Sequence, residues 1–135
     1  MQPAAGFSLM ELMIVVIVIG ILAVMAFPQF QRATEQGYFR AARDIVQTIY
    51  SGEQVYRTSN NIYVNPATCA QPWRCIYMDN PNGNPALPVT FTVGGIGLNT
   101  FTVTATRNGG NCNGKTQTLD QNRTVGGTSL ANTWC

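Results

Sequence analysis

The feature that most constrains this chain is an uninterrupted apolar stretch, residues 12–27, which begins directly after a single acid, Glu11. A helix from Phe7 to Phe27 rises about 1.5 Å per residue and is roughly 31 Å long, close to the ~30 Å hydrocarbon core of a bilayer. The sequence therefore predicts one membrane-spanning helix. A charged side chain inside a bilayer costs on the order of 3 kcal/mol, so we expect Glu11 to have a functional partner.

The residues around this acid resemble the class III signal peptide of type IV pilins and pseudopilins. The resemblance is carried by the run GFSLMELMIVV, residues 6–16, and by the glycine and proline that follow it. In that family a prepilin peptidase cuts after the glycine and methylates the new amino terminus. The resemblance therefore implies a leader, residues 1–6, cleavage between Gly6 and Phe7, and methylation of Phe7.

Cleavage would free an ammonium group on Phe7, about one helical turn from Glu11. An ammonium is the natural counter-ion for a carboxylate in a low-dielectric site. Within one helix the two groups meet poorly, whereas between axially staggered copies of the helix they can meet well. We therefore expect this pair to set the register of a filament made of identical or similar subunits.

Two other interpretations of the apolar stretch stay open, an ordinary secretory signal cut after residues 24–26 and a plain membrane anchor with an incidental Glu11. The missing basic residues of the leader and the acid within the stretch argue against the secretory signal. The leader also departs from the resembling family, whose leaders usually carry Lys or Arg. By the positive-inside rule, Arg32, Arg40 and Arg43 would place the carboxyl side in the cytoplasm, but the cysteines argue for the opposite orientation.

Four cysteines all lie beyond the apolar stretch, at Cys69, Cys75, Cys112 and Cys135. An even number in this region indicates an oxidising compartment, the periplasm or the cell exterior, and disulfides commonly stabilise a small globular segment. Pairing of Cys69 with Cys75 and of Cys112 with Cys135 is favoured, because the first is local and the second fastens the carboxyl terminus, although the other pairings stay open. A zinc site is disfavoured by the wide spacing and by the lack of His. No metal or cofactor is predicted.

Beyond Pro28 the apolar pattern takes a helical period. Its members follow alternating steps of four and three, at Tyr38, Ala42, Ile45, Ile49, Gly52 and Tyr56. The sequence predicts that the membrane helix, 7–27, continues as an amphipathic helix over 28–58, with a kink at Pro28. Gly20 is a second position at which the helix is expected to be weakened. In the resembling family the segment between this glycine and this proline can lose helicity in the filament.

Other side chains of this helix are expected to have structural roles. Arg40 with Asp44, and Glu53 with Arg57, lie one turn apart and are expected to pair on the solvated face, where each pair stabilises the helix by about 0.3 kcal/mol. The aromatic residues near the stripe are expected to pack in the core rather than to conduct electrons; they are Tyr38, Phe39, Tyr50, Tyr56 and Tyr63.

The C-terminal segment, residues 59–135, is predicted to form a small antiparallel sheet. Its strand candidates are residues 76–78, 89–93, 101–105, 115–119 and 123–125. The second and third alternate with period two and are joined by a glycine-rich loop, so they form a hairpin that the later strands extend into a meander. The long helix is the only partner that can cover the apolar side of this sheet. The predicted fold class is therefore α+β, pilin-like: a long N-terminal helix on a small sheet, braced by disulfides.

No catalytic arrangement is evident. The chain has no His, so a Ser-His-Asp triad is not possible, and its six scattered acids form no obvious carboxylate pair. The glycines 94–97 lie between predicted strands rather than before a helix, so they do not form a phosphate-binding loop. The asparagine-rich loop 80–84 is a poor calcium site, because Pro81 and Gly83 occupy alternate positions. We therefore expect the protein not to be an enzyme.

The resemblance implies a structural subunit of a type IV pilus that polymerises through its N-terminal helix after processing. The subunit would lie in the inner membrane, with its globular segment in the periplasm, and later in an extracellular filament. Lipid tails solvate leucine as well as another helix does, so apolar burial alone does not drive this transfer. The implied partners are the prepilin peptidase, an inner-membrane assembly platform and an assembly ATPase.

Two alternatives stay open, a pseudopilin of a type II secretion system and a minor pilin that acts as a DNA-uptake receptor. The motif order from residues 101–105 to Trp134 and Cys135 resembles the carboxyl half of minor type IV pilins. The candidate DNA contacts are Arg74, Arg107, Lys115 and Arg123, with Trp73 as a residue that could stack on a base. The same dispersed charges also fit an ordinary solubilising surface, which the sequence favours.

Overall fold

The computed structural model describes residues 6–135, so most of the predicted leader, residues 1–5, lies outside the described residues. One long helix precedes three short 3-10 helices and a sheet. The helix α1 spans Leu9–Asn60, the 3-10 helices span Pro66–Thr68, Arg74–Ile76 and Pro81–Gly83, and the strands are β1 (Val89–Gly94), β2 (Thr102–Arg107), β3 (Thr116–Asp120) and β4 (Val125–Gly127). The sheet is antiparallel with the order β1-β2-β3-β4.

Helix α1 begins at Leu9 because Ser8 caps it. The Ser8 hydroxyl oxygen accepts a hydrogen bond from the Met10 N–H at 3.2 Å, and the Ser8 carbonyl accepts from the N–H groups of Glu11 and Leu12 at 3.1 and 3.2 Å. The helix remains continuous through a proline and ends at Asn60 rather than at residue 58. Serine followed three residues later by glutamate is a helix-start pattern that the prediction did not use.

The chain divides into two compact units, one up to Thr34 and one from Glu35 to Cys135, which we call the head. In the first unit, the stretch of α1 from Leu9 to Phe27 carries exposed side chains throughout. It is long and apolar enough to cross a membrane.

The head has one core between α1 and the sheet. The helix contributes its buried face, Phe39, Ala42, Val46, Ile49 and Glu53, and the strands contribute alternate residues, Val89, Phe91, Val93, Val103, Ala105 and Leu119. Two members of the predicted stripe, Ala42 and Ile49, lie at the centre of this face, while Tyr38, Ile45 and Tyr56 are only partly buried. The buried face is therefore rotated toward Phe39 and Val46 from the predicted one.

The α+β prediction is confirmed, as are four of its five strand candidates, with ends shifted by one or two residues. The candidate strand 76–78 is wrong. The backbone there forms a 3-10 turn flanked by Trp73 and Tyr77, which have φ angles of 67° and 62°. These left-handed residues bend the chain so that the Trp73 and Ile76 side chains enter the core, and an extended strand cannot do this.

Two disulfides brace the head, between Cys69 and Cys75 and between Cys112 and Cys135, which is the pairing that the sequence favoured. Their Cα atoms are 6.3 and 5.5 Å apart. The second bond anchors the segment that carries Trp134, which is fully buried and meets the ring of Phe39 edge to face at 5.5 Å. The carboxyl-terminal segment is thereby fastened to α1 as well as to the sheet.

Candidate functional site

The first candidate site is the amino-terminal end of α1. Glu11 lies in the first turn of the helix and is exposed, surrounded in sequence by exposed apolar residues. Within residues 6–135 its carboxylate takes part in no ion pair. An acid in the first helical turn is favoured by the helix dipole, so this position stabilises the helix while leaving the carboxylate free for another partner.

Gly20 and Pro28 both lie within continuous helix. An added side chain at Gly20 would meet nothing within 4 Å, so this glycine is not required by packing inside the subunit. Loss of helicity between the two residues in a filament therefore stays a prediction about the assembled state.

The predicted DNA-contacting patch is not brought together. Arg107 is only 5% exposed and is bonded to Glu35, so its guanidinium faces the interior rather than a phosphate. Trp73 is a core residue, 2% exposed, and cannot stack on a base. Arg74 forms an exposed ion pair with Asp79 at 2.8 Å. The sequence favoured a dispersed solubilising surface over this patch, and the alternation along β2 gives Arg107 an inward position.

The predicted surface pair of Glu53 and Arg57 is also wrong. Glu53 is completely buried, and its Oε2 accepts a hydrogen bond from the Val64 N–H at 3.2 Å, while Oε1 has no hydrogen-bond partner within the described part of the chain. Arg57 instead donates to the Tyr63 hydroxyl at 3.0 Å and to the Asn99 side chain. The rotation of the buried face toward Val46 carries Glu53, seven positions later, into the core.

Burial raises the pKa of Glu53 to about 7, because the interior disfavours the charged carboxylate, and the Val64 N–H lowers it only in part. Glu53 is therefore a titratable group in the core that changes charge near neutral pH. Sequence periodicity contains a signal for it, since Phe39, Val46 and Glu53 repeat every seven residues.

The part of the chain that the structure describes contains no group of three or more His, Cys, Asp or Glu side chains placed to hold a metal ion. The fold and the amino-terminal site together define a class: a subunit with an exposed apolar helix that carries one acid, followed by an α+β head.

Comparison with known proteins gives one match to a family model and one similar curated protein. Residues 1–27 match the family model described as the prokaryotic N-terminal methylation motif. The chain is similar to the type II secretion system core protein G of Pseudomonas aeruginosa, at 32% identity over 84 residues. That match covers 62% of this chain and only 56% of the relative. No solved structure matches the chain. Both matches support a relationship of this chain to the type IV pilin and pseudopilin family.

Proposed function

We propose that this protein is a structural subunit of a type IV pilus filament, which polymerises through the apolar part of α1 after cleavage between Gly6 and Phe7. The observation that carries the proposal is the exposure of every side chain from Leu9 to Phe27. An apolar surface of this extent marks a site of contact with a membrane or with other proteins. The head has a core of its own, whose residues all lie between Phe39 and Trp134 in the chain.

The same surface serves both states of the subunit. In the inner membrane, lipid tails surround these side chains. In the filament, the apolar parts of neighbouring α1 helices pack against one another, with the heads outward. Neither state has a large apolar advantage, so assembly requires work from an ATPase acting through a membrane platform. A prepilin peptidase supplies the processed amino terminus.

Glu11 gives the assembly its register. The ammonium freed on Phe7 of one subunit pairs with the Glu11 carboxylate of a staggered neighbour, and each group is costly without the other in an apolar environment. The Glu11 carboxylate forms no ion pair among residues 6–135, which supports this assignment. The interchangeable aliphatic side chains of the helix cannot specify one axial offset, whereas a charge pair can.

Two substitutions test processing and assembly separately. Gly6→Val should block the peptidase and leave a membrane-bound precursor, seen as a slower band on a gel and as the absence of a methylated Phe7 by mass spectrometry. Glu11→Ala should insert and be processed but join filaments poorly. A wild-type fibre yield from Glu11→Ala as the sole subunit would contradict the charge-pairing role.

A second candidate function is a pseudopilin of a type II secretion system, and the similarity to core protein G favours it. Deletion of the gene distinguishes the two. If the protein forms a pilus, sheared surface fibres should disappear while secreted enzymes still reach the medium. If it is a pseudopilin, secreted enzymes should accumulate in the periplasm while surface fibres remain.

A further inference from the structure

A second site lies on the head, in a groove of about 310 Å³ between α1 and the β3–β4 hairpin. The polar side chains that line it are Arg43, Gln47, Tyr50 and Ser51 from α1 and Arg123 from the hairpin. We propose that this groove binds a monosaccharide-sized acid, that is, a sugar bearing a carboxylate or a phosphate. The two guanidinium groups would hold the anionic group, and neutral side chains would hold the hydroxyls.

The charge of the groove is uncompensated. Neither Arg43 nor Arg123 has a carboxylate within ion-pair distance among residues 6–135, whereas Arg74 and Arg107 both do. The nearest acid in sequence to Arg123 is Asp120, whose Oδ1 accepts from the backbone N–H groups of Asn122 and Thr124. Two arginines that line one groove without an acid favour an oxyanion, which guanidinium groups bind with paired, charge-assisted hydrogen bonds.

Arg123 is held in place before any ligand arrives. It lies in a turn with φ of 62°, and its N–H donates to the Asp120 carbonyl at 3.0 Å. Its guanidinium carbon lies 5.3 Å from the centre of the Tyr50 ring. The Tyr50 hydroxyl in turn donates to the Gln121 carbonyl at 3.1 Å, which ties the turn to α1. A prearranged cation binds an anion with less loss of conformational freedom.

The neutral part of the site begins at Gln117. Its side-chain oxygen is buried and has no hydrogen-bond partner among residues 6–135, and Gln117 is one of the residues that line a cavity of about 30 Å³. That cavity shares Arg43, Gln47 and Val125 with the groove, so the two adjoin. The cavity has room for one water-sized group, and a buried acceptor without a donor is costly. A ligand hydroxyl, or a water beneath it, would satisfy this oxygen.

Size and surface chemistry favour a small sugar acid over a bare ion or a polymer. A groove of about 310 Å³ lies at the lower end of the range for ligand pockets, about 300–1,000 Å³. One wall is apolar, formed by Leu119 and the exposed Val125, which suits the carbon face of a sugar ring. A bare phosphate or acetate would leave this wall and the Gln117 oxygen unused.

The test is a titration of the isotope-labelled full chain in micelles of an uncharged detergent, followed by the NMR signals of the arginine and glutamine side chains. The probes are glucuronate and glucose 6-phosphate, which separate a carboxylate from a phosphate source. We expect saturable shifts at Arg43, Arg123 and Gln117 with at least one of them. Arg43→Gln and Arg123→Gln should each weaken binding about tenfold or more. The matched control is Arg40→Gln, an exposed arginine of α1 outside the groove, which should leave binding unchanged.

Three results would overturn the proposal. The first is that neither glucuronate nor glucose 6-phosphate gives saturable shifts at tens of millimolar. The second is an equal loss in Arg40→Gln, which would show attraction to general positive charge. The third is binding of a simpler compound with equal affinity. Equal affinity for uncharged glucose would show that the anionic group is not recognised, and equal affinity for acetate or inorganic phosphate would show that the sugar is not recognised. None of these depends on filament assembly, because the dispersed subunit is measured.

Discussion

Arg107 and Glu35 form a two-point ion pair in the head, with Nε 3.0 Å from Oε2 and Nη2 2.7 Å from Oε1. The pair joins the end of β2 to α1. The same guanidinium donates to the Pro88 carbonyl at 3.2 Å and lies 5.0 Å from the centre of the Tyr38 ring. All three nitrogens of this buried guanidinium therefore donate a hydrogen bond, and its charge is balanced by one carboxylate.

Removal of that carboxylate should destabilise the head strongly. Glu35→Ala leaves the Arg107 guanidinium buried without a counter-ion, and loss of one partner of such a pair costs about 3 kcal/mol. The matched control is Asp79→Ala, which breaks the exposed pair with Arg74, whose side chains are 86% and 67% exposed, and should cost less than about 1 kcal/mol. Urea unfolding followed by the fluorescence of the buried Trp73 and Trp134 measures both. Equal losses would contradict the importance of burial.

Two glycines of α1 should respond in opposite directions to alanine. At Gly52 an added Cβ would lie 2.6 Å from the Ile76 carbonyl oxygen, whereas at Gly37 it would meet nothing within 4 Å. Gly37→Ala should stabilise the helix by up to about 1 kcal/mol through propensity. Gly52→Ala gains the same propensity but must push the 74–76 turn away, so we expect a net loss of about 1–2 kcal/mol. The same unfolding measurement checks the pair, and a stabilised Gly52→Ala would show that the turn yields freely.

Glu53 should make the stability of the head depend on pH. Its pKa is about 7 in the folded head against an ordinary value of 4.5, so between these values the folded state binds the proton more tightly. Its favourable contribution is complete below about pH 4.5 and is lost as the pH rises through 7, by up to about 3 kcal/mol. The chain has no His, which leaves few other groups to titrate in this window.

Glu53→Gln tests this dependence, because the amide keeps an acceptor for the Val64 N–H but cannot ionise. Thermal unfolding at pH 5 and at pH 8 should show a smaller difference for the variant than for the wild type. At pH 8 the variant should be the more stable of the two. An identical pH dependence in both proteins would assign the effect to another group.

The capping and the charge at the start of α1 can be separated. Ser8→Ala removes the hydroxyl that accepts from the Met10 N–H and should cost about 1 kcal/mol of helix stability, with filament assembly retained. Glu11→Gln keeps a side chain compatible with the capping pattern but removes the charge, so filament assembly should fail. Fibre yield and helix content, measured on both variants, separate the effect of capping from the effect of the charge. Normal assembly by Glu11→Gln would reduce the acid to a helix-start signal.

The two disulfides should contribute unequally. The Cys112–Cys135 bond closes a separation of 23 residues and the Cys69–Cys75 bond one of 6. In the loop-entropy model these correspond to about 3.4 and about 2.2 kcal/mol. Replacing each pair by alanine and comparing unfolding midpoints tests the order. A larger loss at the shorter loop would indicate that the turn near Trp73 needs its disulfide for native packing.

Periodicity predicted most of this fold and failed at identifiable places. Period-two segments such as 89–93 were found because alternate burial leaves a local trace, and the covering helix followed from the need to bury the sheet. The strand at 76–78 was wrong because the left-handed backbone at Trp73 accompanies burial of the Trp73 and Ile76 side chains in the core, which local composition does not report. The buried roles of Arg107 and Glu53 were missed because charged residues were assumed to face water.

The sites were predicted unevenly for the same reason. Glu11 stands out because a lone acid in an apolar run is anomalous without any tertiary information. The Arg43–Arg123 groove has no such trace, since its parts are distant in the chain and meet only when the hairpin lies against α1. Local anomalies can be found from sequence, whereas sites made by tertiary contact cannot.

The order of strands in the sheet matches their order along the polypeptide. Each later strand therefore pairs with the strand that precedes it in the chain, so the sheet can form progressively from its amino-terminal side. The contact of Phe39 with Trp134 joins the long helix to the last described segment. This contact can form only once the residues between Phe39 and Trp134 are in place. The disulfide between Cys112 and Cys135 then fixes the carboxyl-terminal segment covalently.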